Sequence, residues 1–156
     1  MLIRKFPSRD HFIELARDHN VVPVCTEILA DMETPVSLLA KLYRKQGPIF
    51  LLESVEGGEK WGRYSFLGVS ARTSVQVFKE TVTIQTNGRT ETIIHHGDPL
   101  TVLKSLMARY RAAQLPELPR FWGGLVGYLT YEMVSFFERI PNRLPAQKPI
   151  AHFMIP

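Results

Sequence analysis

Asn87-Gly88 leaves the chain little choice at its centre. Both residues tolerate the positive φ that a tight two-residue hairpin demands. Before them, Ser74-Val-Gln-Val-Phe78 and Val82-Thr-Ile-Gln-Thr86 alternate apolar with polar residues, the period of a sheet with one face covered and one in water. The spacing predicts two strands here and an antiparallel return over residues 90–95.

Caps and periods place the flanking elements. Ser8 is positioned to cap a helix running to about His19, with Phe12, Leu15, Ala16 and His19 on one face. Thr34-Pro35 is a cap followed by a first-turn proline, and Val36, Leu39, Ala40 and Tyr43 form an apolar stripe before Gly47. Asp98-Pro99 repeats that start, with Leu100, Leu103, Met107 and Tyr110 on one face up to about Ala113. Residues 21–28 are rich in β-branched side chains, and Pro23 restricts that strand to an edge or a bulge. The short apolar run 49–55 is predicted to be a strand buried on both faces, and 63–67 continues the strand pattern. Residues 121–129 resemble a glycine-interrupted strand and 131–138 a short helix, after which Pro141, Pro145 and Pro149 break regular structure. Together these make about three helices and about seven strands in mixed order, an α+β fold with a mixed, largely antiparallel sheet packed with helices. At 156 residues, one domain with one main core is expected.

With 45% hydrophobic and 22% charged residues, the chain has enough apolar surface to fold and is neither disordered nor collagen-like. Its net charge of +4 is scattered along the sequence, which argues against nucleic acid as a partner. The apolar run 121–131 is too short to cross a bilayer, which takes roughly 20 residues, so no membrane association is expected. Cys25 is the only cysteine, which excludes an intrachain disulfide and fits a reducing compartment. The first ten residues carry charge where a signal peptide needs its apolar stretch. A cytoplasmic location is expected.

Side chains suited to catalysis are sparse. His95 and His96 are neighbours, and neighbours on a strand point to opposite faces, so one metal ion could not easily be held by both. They are expected to be a surface pair beside a turn. Cys25 sits in an apolar strand, where a thiolate is disfavoured, and is expected to be inert. There is no Gly-x-Ser-x-Gly elbow, P-loop, dinucleotide fingerprint or carboxylate pair built to separate two pKa values. No catalytic residue and no metal site is predicted.

Two segments carry other possibilities. Residues 51–68 place Glu53 and Ser54 at the end of an apolar strand, with Arg63 returned by the next one. A carboxylate, a hydroxyl and a guanidinium around an apolar wall could hold a zwitterion with a greasy side chain. Residue types alone favour a cross-strand Glu53–Arg63 ion pair beside a serine turn, and spacing does not separate the two readings. In residues 119–138, Gly123, Gly124 and Gly127 remove side chains from a strand, which points first to close packing.

Taken as motifs, Leu51-Leu-Glu-Ser54, Trp61-Gly-Arg-Tyr-Ser-Phe-Leu-Gly68 and Phe121-Trp-Gly-Gly-Leu-Val-Gly-Tyr128, followed by Tyr131-Glu132 and Phe137-Glu138, closely resemble the amino-terminal region of anthranilate synthase component I. The resemblance runs in order over nearly the whole chain. It implies that residues 1–156 are part of a larger two-sheet α/β/β/α sandwich whose carboxy-terminal chorismate-binding catalytic region is absent. The apolar run His152-Phe-Met-Ile-Pro156 is then expected to begin an element that is cut off.

The family enzyme converts chorismate to anthranilate for tryptophan synthesis, with magnesium and with ammonia from a glutamine amidotransferase subunit. Its amino-terminal region provides much of the tryptophan feedback site. The resemblance carries that role onto Leu52, Glu53 and Ser54, and onto Arg63 through a basic residue that some relatives use. Expected partners are therefore the amidotransferase subunit, the missing catalytic region and tryptophan as inhibitor. The chain alone is expected to be inactive, to bind no magnesium, and to bind tryptophan weakly or not at all. The alternatives are the aminodeoxychorismate synthase component, which makes a folate precursor, and a stand-alone amino-acid-binding module.

Overall fold

The computed structural model describes residues 2–44, 47–53, 64–141 and 149–155. The chain is α+β, with three α-helices and nine strands among the described residues, every paired strand antiparallel. It divides into two compact units, Met1–Glu33 with Leu103–Trp122, and Thr34–Val102 with Gly123–Pro156. A single core is the expectation from length. Two units form because each joins segments distant in sequence, which local periodicity does not reveal.

In the first unit, β1 (Leu2–Phe6) pairs with β2 (Cys25–Ile28), and α1 (Arg9–Asp18) lies between them in sequence. The Ser8 hydroxyl accepts the His11 amide at 3.3 Å, as its N-cap position predicts. The expected strand over 21–28 is split. Val21 makes an isolated parallel bridge to Ala112, and only Cys25–Ile28 is a strand, because Pro23 has no amide to donate. Asn20 clamps the distant segment: its side-chain amide donates to the Arg109 carbonyl and its oxygen accepts the Arg111 amide, both at 2.6 Å. Cys25 is half-buried, and burial pushes its thiol above the ordinary value.

Strand β1 escapes periodicity because Arg4 and Lys5 interrupt its apolar residues. Arg4 forms two hydrogen bonds to the Glu27 carboxylate, at 2.7 and 2.8 Å, and its guanidinium lies 4.8 Å over the Phe6 ring. The Arg4 hydrogen bond holds the Glu27 carboxyl below its ordinary value.

In the second unit, α2 (Pro35–Leu42) begins with a capping box, in which Thr34 and Ser37 each accept the other's amide. It packs against a hairpin of β3 (Ile49–Glu53) and β4 (Ser65–Val69). A separate five-stranded sheet has the order β7-β6-β5-β9-β8, formed by β5 (Thr73–Val77), β6 (Thr81–Thr86), β7 (Arg89–Ile94), β8 (Val126–Leu129) and β9 (Ala151–Ile155). Asn87 and Gly88 take φ of 50° and 77°, the turn between β6 and β7 that their sequence predicts. Val75, Val77, Val82, Ile84, Ala151 and Ile155 are buried, and the intervening Ser74, Gln76 and Thr83 are not, which is the predicted alternation. Helix α3 (Pro99–Met107) starts at Asp98, whose carboxylate accepts the Thr101 amide at 3.0 Å, but it stops short of the expected Ala113.

Two expectations are corrected. His95 is no surface residue: it is 5% exposed, its Nε2–H donates to the Phe78 carbonyl at 3.0 Å, and its Nδ1 accepts the Gly97 amide at 3.1 Å. The turn that follows, where His96 and Gly97 adopt φ of 50° and 90°, brings the Gly97 amide to the ring, and the Phe136 ring packs edge-on against it with centroids 5.2 Å apart. With both nitrogens engaged, His95 has no lone pair for a metal. The strand expected over 121–129 contracts to Val126–Leu129, and residues 131–138 yield a 3-10 helix at Tyr131–Phe136. Gly127 does serve close packing, since a Cβ there would overlap the His152 carbonyl and lie 2.6 Å from Phe153 Cα. Gly124 instead needs glycine for its φ of 129°, and a Cβ at Gly123 would meet open space. Among the described residues, no helix is long and apolar enough to cross a membrane.

Two predictions follow from these contacts. Replacing His95 with alanine leaves the Phe78 carbonyl and the Gly97 amide without their partner, and should lower unfolding free energy by about 2–4 kcal/mol, measured as a reduced urea midpoint at unchanged slope. Glu27 should titrate below the ordinary glutamate range in a carboxyl NMR series, and Arg4→Met should move it back up. Because the folded pKa is lowered, any stability from this pair is present above the ordinary carboxylate range and fades as pH falls through the folded value.

Candidate functional site

The β3–β4 hairpin carries the two expected site residues that the structure describes. Its register pairs Ile49 with Val69, Phe50 with Gly68, Leu51 with Leu67, Leu52 with Phe66, and Glu53 with Ser65. Successive side chains alternate between faces. One face therefore holds Phe50, Leu52, Phe66 and Tyr64, and the other holds Ile49, Leu51, Leu67 and Glu53.

The strand is not buried on both faces as expected. Leu52 is 47% exposed and Glu53 is exposed, because the hairpin is a two-stranded sheet and no further strand pairs with either edge among the described residues. Leu52 and Glu53 consequently project in opposite directions. A small molecule that met both side chains would have to lie around the edge or the end of β3. Ser65, and not Arg63, stands directly opposite Glu53. Ser54 and Arg63 fall outside the described residues, as do residues 54–63 altogether.

Phe50, Tyr64 and Phe66 were not singled out as site residues by sequence reasoning, although a period of two from Leu52 and across the hairpin points to them. Tyr64 and Phe66 stack with ring centroids 6.1 Å apart and planes 29° apart, and Tyr64 is 53% exposed. Beside Leu52 they give this face the character of a wall for an apolar or aromatic group. Elsewhere in the same unit an open cleft of about 370 Å³ is lined by Ser70, Arg72, Ser74, Gln85 and Asn87 among others. Neither Leu52 nor Glu53 lines it. Among the described residues, no three His, Cys, Asp or Glu side chains gather as a metal site.

No family profile matches the chain. Individual relatives do. The anthranilate synthase component 1 of Acetivibrio thermocellus is 41% identical over 153 residues, which cover 96% of this chain and 30% of the relative. That of Synechocystis is 43% identical over 144 residues, 92% of this chain and 27% of the relative. That of Pseudomonas putida is 42% identical over 144 residues, 92% and 29%. Over nearly its whole length the chain is similar to part of anthranilate synthase component 1. It spans about 30% of the length of the curated relatives it matches.

Substitution on the exposed face of β3 should cost little stability. Leu52→Ser is expected to change unfolding free energy by less than about 1 kcal/mol, the worth of one exposed cross-strand pair, as read by thermal or urea denaturation.

Proposed function

We propose that these residues form the amino-terminal region of anthranilate synthase component I and carry much of its tryptophan feedback site. The observation that supports this most is identity near 40% sustained over nearly the whole chain by relatives all named anthranilate synthase component 1. Those names favour this reading over the aminodeoxychorismate alternative. The whole enzyme converts chorismate and glutamine, or ammonia, to anthranilate, pyruvate and glutamate in the cytoplasm. It does so with a glutamine amidotransferase subunit and magnesium.

The described residues supply no donor set suited to magnesium, so no step through the metal is assigned to them. Their task is regulatory. The apolar face of Leu52 receives the indole, while the Glu53 carboxylate, with Ser54 and Arg63, meets the charged amino-acid end. Tryptophan then stabilises one arrangement of the whole enzyme over another, and inhibition equals its difference in affinity for the two. A coupling of about 1–3 kcal/mol is typical of such regulation. Because part of the site lies outside this chain, the isolated chain binds tryptophan weakly or not at all.

The protein encoded by the complete reading frame containing these residues provides the test. Supplied with chorismate, magnesium and ammonia, it should form fluorescent anthranilate, and tryptophan should suppress the signal. Glu53→Ala should raise the half-inhibiting tryptophan concentration by about tenfold or more, the loss of one charge-assisted contact. The isolated 156-residue chain should form no anthranilate. In excess tryptophan it should also gain much less than the roughly 2.7 kcal/mol expected at 100-fold saturation. A reading frame that stops at Pro156, or a full-length product without anthranilate synthesis, would falsify the proposal.

A further inference from the structure

Gly68 faces Phe50 directly across the β3–β4 ladder, and the Phe50 ring lies over it. A Cβ at position 68 would overlap Phe50 Cε1 and stand 2.6 Å from Cζ and 2.9 Å from Cδ1, closer than any real side-chain contact. The ring therefore occupies the place where residue 68 would otherwise carry a side chain. Phe50 is two residues before Leu52 and shares its face, and Leu52 stands opposite Phe66, two residues before Gly68. These four positions share one face of the hairpin, with the Phe50 ring seated next to the Leu52–Phe66 pair in the register.

We infer that Gly68 and Phe50 are a positioning pair for the regulatory face of β3, holding Leu52 where it meets the inhibitor. Neither residue touches the ligand in this scheme. A side chain at position 68 lifts the Phe50 ring from its seat, and the face beside it loses the shape that an aromatic inhibitor needs. The inference rests on the tryptophan-site reading proposed above, and adds to it a residue that acts through another.

The full-length enzyme again serves, with three variants: Gly68→Ala, Phe50→Leu and the pair combined. Leucine lacks the Cε1 and Cζ atoms that would collide with a new Cβ. Gly68→Ala should raise the half-inhibiting tryptophan concentration by about tenfold while kcat and KM for chorismate stay within about twofold, a split that general damage to the fold would not produce. In the Phe50→Leu background the same substitution should cost less than about threefold, since contacting residues are non-additive. Unchanged inhibition in Gly68→Ala, or an equal effect in both backgrounds, overturns the positioning role. If Gly68→Ala does not fold, Phe50→Leu alone decides: weaker inhibition with retained kcat supports the pairing, and unaltered inhibition overturns it. Loss of tryptophan sensitivity in the unsubstituted enzyme is a different result, which removes the site itself and not this pair.

Discussion

Residues Ala151–Ile155 hydrogen-bond to β5 on one side and to β8 on the other, and the five-stranded sheet exists as one body only because they do. The Ile150 amide extends this ladder to the Val77 carbonyl, and the Ile150 carbonyl accepts both the amide and the hydroxyl of Thr130. A strand late in the sequence thereby joins the central hairpins to the glycine-rich segment. Gly127 is part of the same constraint, because the approach of β8 to His152 and Phe153 leaves no room for a Cβ. Burial follows from it: Val75 and Val77 lie beside β9 and are fully covered.

The β3–β4 hairpin belongs to the same unit but is held differently. It is a separate two-stranded sheet, supported by α2, and its register pairs apolar residues on both faces. A hairpin so lightly covered leaves large apolar side chains in water, among them Leu52 and Tyr64. Phe50, Leu52, Phe66 and Gly68 share one face of it, with the Phe50 ring over Gly68.

Parts of this were legible in residue order. Thr34-Pro35, Ser8 and Asp98 each mark a helix start that the structure confirms by a hydrogen bond to the cap. Asn87-Gly88 marks a turn because few residue pairs tolerate its backbone angles. The Leu-Leu-Glu-Ser and Trp-Gly-Arg-Tyr motifs carry the resemblance to anthranilate synthase component 1 in the sequence itself. By contrast, β1 was missed because its pairing with β2 is secured by Arg4 and Glu27, a contact between segments that no local period records. His95 is expected at the surface because it stands beside a turn, whereas the Phe136 ring, distant in sequence, packs against it and both its nitrogens are hydrogen-bonded.

What the sequence determined alone is local: caps, turns, strand alternation, and the alternation of Leu52 with Glu53, all consequences of backbone geometry within a few residues. Tertiary structure decided the rest, because it depends on which distant segments meet. It assigned β9 to the inside of the sheet, closed the first unit with Asn20 on Arg109 and Arg111, and laid Phe50 over Gly68. Those contacts join residues far apart in the chain, and no period or motif encodes the identity of a partner that only folding brings near.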